Sequence, residues 1–372
     1  MLHKSKVIVG AGPVGLTFAL SFVNQGNSIA ILDSQSNFKN DSRVLALSYA
    51  SFAKLKDLNG WPDDGATAIQ EVHISHNGLG VSVIKASDLN LGCLGYTISY
   101  SDILEKLHKV TSNNSKIDFQ FANVKRIIPG AKFATIEYSE YGEMRSLTTD
   151  LAIVAEGGKI KIDGVDYKNF DYKRIAIVAT LEVENFKANT AFERFDKFGP
   201  LVLLPYNRLY KLVWSLDTER ANAILKEQNL LDCLKQQSSF MKRFGELKIV
   251  GNVGSYPLSL QIAKQKLLNH VALIGNSSQT LNPISAQGMN LGIRDADLLA
   301  TFIAKNGLNS SSSYDDLRRI DTNFVANFTH GLARFVEQKS NLVNHLCGAG
   351  IISLSNCKTL QNYIAKSLIF GL

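Results

Sequence analysis

Apolar positions group into short runs near both ends of the chain. The β-branched run Val7–Val9 and the run over residues 28–32 predict two buried parallel strands with a helix between them. Residues 101–110 predict a further helix. Late in the chain, Val271–Ile274 is again a short apolar run, and residues 290–300 after it predict a helix.

The middle of the chain has a different pattern. Residues 67–84 alternate apolar and polar positions, which predicts a hairpin around Asn77-Gly78. Residues 172–216 contain three strand-like stretches, and Asn207-Arg208 is expected to turn the last hairpin. This block predicts an antiparallel sheet that forms a second domain.

The order of elements predicts an α/β fold in which a Rossmann-like nucleotide domain is interrupted by a sheet domain. The crevice between two such domains is where a ligand is expected to bind. The predicted ranges are 1–66, 96–170 and 258–330 for the nucleotide domain, 67–95 and 171–257 for the sheet domain, and 331–372 for a C-terminal helical segment.

A glycine pattern follows the first strand. Gly10, Gly12 and Gly15 have the G-x-G-x-x-G spacing, which allows a tight turn, approach of phosphate to the backbone and close packing of helix on strand. Pro13 suits the first helical position, and the helix N-terminus attracts a pyrophosphate. Asp33, at the end of the second strand, has the spacing of a carboxylate that binds adenosine ribose.

A second segment, Val271–Asp295, carries glycine and polar residues after a buried strand. Gly275 turns the strand, Asn276 can hydrogen-bond a polyol chain such as ribitol, Pro283 stiffens the loop, and Gly288 permits close approach to a flat ring. The helix that follows would direct its N-terminus at a flavin ring. A surface loop that caps a helix is the plainer interpretation. A nicotinamide dehydrogenase needs only the first site, whereas an extended FAD uses both, so the pair indicates FAD.

Composition limits the class of protein. At 372 residues, with 45% hydrophobic and 20% charged residues, the chain fits a two-domain soluble protein, and no apolar stretch reaches the roughly 18 residues of a membrane span. The four cysteines form no C-x-x-C pair, which favours a reducing cytoplasm. Lys4 and Lys6 before an apolar stretch would also suit a secretory signal, but the glycine spacing and the lack of a cleavage site argue against one.

The net charge of +7 and the pI near 9.0 favour an anionic partner. Anionic lipid headgroups fit this charge, whereas no basic run with interleaved aromatics suggests nucleic acid. His73 and His76 have H-x-x-H spacing, but on a predicted strand this spacing is more typical of surface residues than of metal ligands, and no metal is expected.

Five segments carry a resemblance to a known family. The chain resembles the FAD-dependent aromatic hydroxylases of the p-hydroxybenzoate hydroxylase fold, and within them the ubiquinone-biosynthesis branch that acts on polyprenyl methoxyphenols. The segments are DSRVLAL (41–47), ATAIQEVHIS (66–75), AFERFDKFGPLVLLP (191–205), SYPLSL (255–260) and GNSSQTLNPISAQGMNLGIRD (275–295). The last is the most specific, because Asn276 and Gln279 replace an aspartate and a histidine of the wider superfamily.

The resemblance implies an activity. FAD would be reduced by NAD(P)H or another donor, O₂ would form a flavin C4a-hydroperoxide, and the ring of a polyprenyl phenol (2-polyprenyl-6-methoxyphenol) would be hydroxylated to the 1,4-benzoquinol. Because such a substrate is nearly insoluble, a membrane surface or a lipid-binding partner is expected, as is a complex of ubiquinone-biosynthesis proteins. The cytoplasm, with peripheral membrane association, is the expected location.

The resemblance also implies site residues. Asn276 would contact the ribityl chain, and Pro283 to Asn290, including Gln287, Gly288 and Met289, would line the isoalloxazine and form the catalytic surface. Arg43 would lie against the flavin, although on physical grounds alone a surface salt bridge is the commoner role. No general base is assigned.

One motif departs from the family. The usual A-D-G is Ala155-Glu156-Gly157 here, and glutamate places its carboxylate about 1.5 Å further from the backbone. This change could be tolerated at the cofactor or could weaken NAD(P)H handling. Two other functions stay open. Because the motifs favour hydroxylation only through the resemblance, one is a flavin reductase or dehydrogenase that acts on isoprenoids. The other, motivated by Glu156, is a catalytically weak flavoprotein subunit of a ubiquinone-biosynthesis complex.

The C-terminal region is apolar. Residues 341–354 and the side chains Leu360, Ile364, Leu368, Ile369 and Phe370 suit either a peripheral membrane contact or packing on the flavin domain.

Overall fold

A computed structural model describes residues 2–34, 41–76, 80–196, 198–237, 239–307, 311–336, 349–350, 352–353 and 355–371. The predicted turn at Asn77-Gly78 and most of the apolar stretch 341–354 lie outside these residues. The strands on either side of that turn, His76 and Gly80 included, pair antiparallel.

The secondary structure alternates throughout the chain. The strands are β1 Leu2–Val9, β2 Ile29–Asp33, β3 Val44–Ser48, β4 Thr67–Ile69, β5 Glu71–His76, β6 Gly80–Lys85, β7 Gly95–Ser99, β8 Ile117–Phe121, β9 Asn123–Ile128, β10 Ala134–Glu140, β11 Glu143–Val154, β12 Lys161–Ile162, β13 Tyr167–Val183, β14 Thr190–Asp196, β15 Gly199–Tyr206, β16 Leu209–Asp217, β17 Leu247–Ala263, β18 Leu267–Leu268, β19 Val271–Leu273 and β20 Gln279–Thr280. The helices are α1 Pro13–Asn24, α2 Tyr49–Asp57, α3 Tyr100–Ser112, α4 Thr218–Glu227, α5 Leu230–Gln237, α6 Ser239–Lys242, α7 Gln287–Asn306, α8 Ser311–Val336 and α9 Lys358–Phe370.

The first sheet has the order β12-β9-β10-β11-β1-β2-β8, with β19 beside β11 and β18 beside β19. Strands β8, β2, β1, β11 and β19 are parallel, as the apolar runs at Val7–Val9 and Val271–Ile274 predict. Helices α1 and α7 pack on this sheet through a core that includes Ile8, Phe18 and Leu299.

The second sheet has the order β20-β17-β13-β16-β15-β14-β5-β6 and is antiparallel except for β14 on β5. One face packs on α4–α6 through a core that includes Trp214 and Phe244. The predicted turn between β15 and β16 is confirmed: Asn207 and Arg208 both have positive φ (48° and 63°), as a two-residue turn matching the strand twist requires. The other face forms part of the candidate site.

The small sheet β3-β7-β4 lies against the second sheet, and α2 and α9 contact it. The α/β fold with an antiparallel sheet is confirmed. The predicted boundaries at residues 170/171 and 257/258 fall within β13 and β17, which are 17 residues each and paired with each other. The exact division into domains stays a prediction.

Candidate active site

The first glycine turn has the geometry that its spacing predicts. Gly10 has φ +106°, and a Cβ there would lie 2.7 Å from the carbonyl carbon of Ala155. A Cβ on Gly15 would overlap the carbonyl oxygen of Gly10. Pro13 is the first residue of α1. The helix therefore packs directly on the turn, and its N-terminal N–H groups lie beside it.

The outer side of this turn is less crowded. A Cβ on Gly12 would meet only the Tyr100 hydroxyl, at 3.6 Å. The Asp33 carboxylate accepts a hydrogen bond of 2.6 Å from Ala11 N–H. Asp33 thus stands at the turn, as its spacing predicts, and one of its oxygens orders the turn itself.

Arg43 lies on the same side of the molecule. Its guanidinium stacks over the Tyr100 ring at 4.3 Å and donates to Asp41 from Nε (2.9 Å) and Nη2 (2.6 Å). Burial alone would raise the pKa of Asp41, but the hydrogen bonds from Arg43 hold that pKa below its ordinary value. Arg43 therefore makes the surface salt bridge and also lies near the first glycine turn, because the Tyr100 ring that it contacts has its hydroxyl beside Gly12.

The two glycine segments meet in space. Strand β11 pairs with both β1 and β19, so the strand ends that precede Gly10 and Gly275 lie on either side of the end of β11. A Cβ on Gly275 would lie 3.2 Å from Val14 Cγ1 in α1, and one on Gly292 in α7 would lie 2.8 Å from Val14 Cγ2. The predicted convergence of segments more than two hundred residues apart is confirmed.

Glu156 closes a turn of its own backbone. Its Oε1 accepts hydrogen bonds from the N–H groups of Gly158 (2.8 Å), Lys159 (2.8 Å) and Ile160 (3.2 Å). Gly157 and Gly158 have positive φ (95° and 87°), which lets these N–H groups point at one carboxylate. The longer side chain thus folds back as a cap, and the motif keeps an ordered turn beside the first sheet.

The segment before α7 differs from its prediction in one respect. Helix α7 begins at Gln287, not at Asn290, so Gln287, Gly288 and Met289 form its first turn rather than a loop. The helix begins early because Ala286, at φ +50°, reverses the chain at the end of the short 3₁₀ turn of Ile284–Ala286. A Cβ on Gly288 would meet no atom within 4 Å, so the helix start is open on that side.

Asn290 joins α7 to the small sheet. Its Oδ1 accepts from Ser48 N–H (2.8 Å) and Ser51 Oγ (2.8 Å), and its Nδ2 donates to the carbonyls of Ala46 (3.1 Å) and Ala286 (2.9 Å). All of these partners belong to the protein. The buried amide therefore fixes the helix start, while Asn276 and Pro283 are exposed.

A buried charge network, which the sequence did not predict, lies behind this segment. The Asp295 carboxylate accepts hydrogen bonds from Lys266 Nζ (3.1 Å), Arg318 Nε (2.6 Å) and Gln279 Nε2 (2.7 Å). Asp321 binds Arg318 from the next turn of α8. Burial alone would raise the pKa of Asp295, but Lys266 and Arg318 hold that pKa below its ordinary value. The network links α7, α8 and the second glycine segment.

A cavity of about 690 Å³ lies between the second sheet, the start of α7 and helix α9. Its volume is in the range of small-molecule sites. The lining is mostly aliphatic and aromatic and includes Val44, Leu45, Ile69, Val72, Ile74, Ile84, Phe195, Val202, Leu204, Val213, Pro283, Gln287, Gly288, Met289, Ile364, Leu368 and Ile369.

Two ionisable residues of this lining were missed or misread. His76 was predicted to be a surface residue but is 2% exposed, and Glu193, 8% exposed, was not singled out. A signal was present: Val72, Ile74 and His76, like Ala191, Glu193 and Phe195, occupy alternate positions of a strand, so each polar residue shares a face with apolar ones. His73, on the opposite face of β5, bonds Glu71 at 3.1 Å.

The residues present fit FAD. The uncrowded side of Gly12 suits a pyrophosphate, and the open side of Gly288, on the cavity, suits a flat ring. Among the described residues, no group of three or more His, Cys, Asp and Glu side chains could hold a metal. In the same part of the chain, no helix is long and apolar enough to span a membrane.

The fold and the paired glycine segments define a flavoprotein of the p-hydroxybenzoate hydroxylase fold. Comparison with known families agrees: the chain belongs to the FAD binding domain family, whose profile matches residues 5–313. Its cofactor is FAD, and it falls in the class of FAD-dependent aromatic monooxygenases.

Relatives extend this finding. The chain is 26% identical over 321 residues to the ubiquinone hydroxylase UbiM of Neisseria meningitidis, covering 81% of this chain and 69% of that protein. It is 24% identical over 351 residues to the 3-demethoxyubiquinol 3-hydroxylase of Escherichia coli, covering 86% of each. The resemblance to the ubiquinone-biosynthesis branch is confirmed.

Solved structures share the fold. The p-nitrophenol 4-monooxygenase PnpA of Pseudomonas putida has a TM-score of 0.80 at 17% identity, covering 99% of both chains. The flavin-dependent brominase Bmp2 has a TM-score of 0.79 at 14% identity, covering 98% of this chain and 93% of its own. At such low identity, these likenesses concern the fold alone.

Proposed function

We propose that this chain hydroxylates the ring of a polyprenyl phenol, 2-polyprenyl-6-methoxyphenol, in ubiquinone biosynthesis. The observation that carries the proposal is the apolar cavity that reaches from the start of α7 to helix α9. An aromatic head with an aliphatic tail fits a lining of this kind, whereas a polar substrate would leave its hydrogen bonds unmet.

Bound FAD, reduced by NAD(P)H or another donor, would activate O₂ at its C4a carbon and supply the transferred oxygen atom. The residues of this chain position the reactants. Gly12 and the N-terminus of α1 would hold the pyrophosphate, with Asp33 at the ribose. Asn276 would face the ribityl chain, and the Pro283–Asn290 segment would hold the ring against the cavity. The apolar lining excludes water, which protects the activated oxygen from wasteful release as H₂O₂.

Oxygen incorporation tests this proposal. FAD-loaded protein, NADH or NADPH, a short-chain 2-methoxy-6-prenylphenol and ¹⁸O₂ should yield a product with one ¹⁸O atom. A deletion strain should accumulate polyprenyl-methoxyphenol. Oxidation of NAD(P)H without ¹⁸O in the product, together with normal ubiquinone in the deletion strain, would contradict the proposal.

The alternative of a catalytically weak subunit was suggested by Glu156. This side chain caps three backbone N–H groups and keeps the turn ordered, which supports a change that is tolerated at the cofactor. The reductase alternative has no specific observation in its favour.

Helix α9 supports a peripheral membrane contact as part of the same proposal. Its inner face packs on the protein: Ala365 and Ile369 lie in one buried cluster with Leu89, and Ser48 Oγ donates to the Ile369 carbonyl at 3.0 Å. Its outer face exposes Leu360, Tyr363 and Phe370 at helical spacing. An exposed apolar stripe with Lys366 among it suits an anionic lipid surface.

Substitution of the outer face separates the two roles. Changing Leu360, Tyr363 and Phe370 to serine should reduce sedimentation with liposomes that contain anionic lipid and leave bound FAD unchanged. The matched control, Ile369→Ser, should lower the thermal unfolding temperature because it removes buried apolar surface. Unchanged liposome binding by the outer-face variant would refute the membrane contact.

A further inference from the structure

The apolar cavity holds only two ionisable side chains among the described residues that line it, His76 on β5 and Glu193 on β14. Both are almost completely buried. Their neighbours on the same faces, Ile74 and Ala191, show that apolar residues fit there.

The strand register brings the two side chains to one place. Strands β5 and β14 are parallel, with Glu193 opposite Ile74 and His76 opposite Phe195. His76 and Glu193 are therefore diagonal neighbours on one face, with Cα atoms about 8 Å apart by the ordinary spacing of strands and residues. Two side chains of this length can reach a common point.

This pair lies near the segment that would hold the flavin. Phe195, the register partner of His76, packs in the same cluster as Leu281 and Ile284, on either side of Pro283. In the other direction along β5, Val72 packs with the cluster that contains Ala365 and Ile369 of α9. The cavity thus has a polar group at one end of β5 and an aliphatic wall at the other.

We propose that His76 and Glu193 bind the phenol hydroxyl of the substrate, with the prenyl tail directed to α9; this assignment rests on the proposed function. His76 accepts the proton: the O–H bond breaks, an N–H bond forms, and the electron pair stays on the phenolate oxygen, from which it is delocalised to the para ring carbon. Glu193 is a positioning residue that orients the imidazole and stabilises its protonated form. The proton leaves again when the product departs.

A chromophoric phenol tests the binding step without turnover. The probe is 2-methoxy-4-nitrophenol, whose anion is yellow, added to FAD-loaded protein at a pH where the free probe is mostly neutral. Wild type should bind it as the anion. His76→Gln should lose the anion absorbance, and Glu193→Gln should lower it. The matched control, His73→Gln, lies on the opposite face of β5 and should behave as wild type.

Turnover supplies the second readout. With 2-methoxy-6-prenylphenol, His76→Gln should lower kcat by about 10²- to 10⁴-fold, the usual contribution of a general base, with a smaller change in KM. Glu193→Gln should give a smaller loss of kcat. FAD content and thermal unfolding check that each variant folds, and His76→Asn replaces His76→Gln if the latter does not.

The outcomes separate the two proposals. Anion binding that His76→Gln and Glu193→Gln leave unchanged would overturn this assignment even if wild type hydroxylates phenols. Anion binding that depends on both residues, without ¹⁸O incorporation by wild type, would support the phenol site and contradict hydroxylation. If mixing the probe with wild type changes neither the absorbance of the probe nor the flavin spectrum of the protein, the assignment is overturned directly.

Discussion

The buried network around Asp295 gives a sharp prediction about stability. Asp295 is fully buried and accepts hydrogen bonds from Lys266, Arg318 and Gln279. Replacing it with asparagine removes the negative charge that faces both cations and places an amide N–H₂ among donors. Breaking a buried pair in this way costs about 3–5 kcal/mol of unfolding free energy. Because Gln279 belongs to the second glycine segment, FAD affinity should fall as well.

A residue on the same helix provides the control. Asp297 accepts from Ser21 Oγ (2.8 Å) and pairs with Lys54 (3.2 Å), but its side chain is 30% exposed. Asp297→Asn should therefore cost no more than about 1 kcal/mol, as exposed ion pairs do. Urea denaturation of both variants by linear extrapolation measures the difference. A loss for Asp295→Asn within 1 kcal/mol of that for Asp297→Asn would refute the reasoning.

The pH dependence of this difference follows from its sign. The pKa of Asp295 is lower in the folded protein than the ordinary value of 3.8, so its contribution to stability is present above that value. It is lost as the pH falls through the lowered folded pKa. The difference in unfolding free energy between wild type and Asp295→Asn should thus stay constant at neutral pH and shrink only in acid. A difference that disappears between pH 6 and 8 would contradict the role of the carboxylate.

Four further substitutions test the cofactor site. Gly15→Ala should cost about 1–3 kcal/mol of unfolding free energy because its Cβ overlaps the Gly10 carbonyl. Gly12→Ala, with only Tyr100 Oη near, should leave the unfolding free energy unchanged and weaken FAD binding in a fluorescence titration. Equal effects of the two substitutions on the unfolding free energy would count against the packing argument. Glu156→Ala should lower the unfolding free energy by about 1 kcal/mol or more, seen in urea, because three N–H groups lose their acceptor. Arg43→Met should weaken FAD binding without loss of fold, and unchanged FAD affinity would show that the guanidinium serves only Asp41.

Local features of the fold could be predicted because their causes are local. Gly15 packs on the carbonyl of Gly10, five residues earlier, and positive φ at Asn207 and Arg208 is required by the turn itself. A run such as Val7–Val9 likewise indicates a buried strand from its side chains alone. These predictions did not need to know which strands pair.

The residues that were misread depend on distant partners. His76 shares its face of β5 with Val72 and Ile74, but the segments that cover that face, the start of α7 and helix α9, come from much later in the chain. Asp295 lies in a predicted helix, yet its charge partners Lys266 and Arg318 come from residues on either side of that helix. Similarly, the start of α7 at Gln287 rests on the reversal at Ala286, a residue with no special tendency for positive φ. Long-range packing, not local preference, decides such positions.

The inner and outer faces of α9 suggest how an insoluble substrate would enter. On α9, Leu360 and Tyr363 are exposed while Ile364 and Leu368 line the cavity. One helix thus separates the cavity from the surface that is proposed to meet lipid, over about 10 Å, the ordinary width of a helix with its side chains. A polyprenyl tail that leaves the bilayer beside α9 would pass directly from one apolar environment to another. The tail would therefore not be exposed to water on the way. If so, detergent that solubilises the substrate should restore turnover to the outer-face variant, because that variant loses delivery of the substrate and not the cavity.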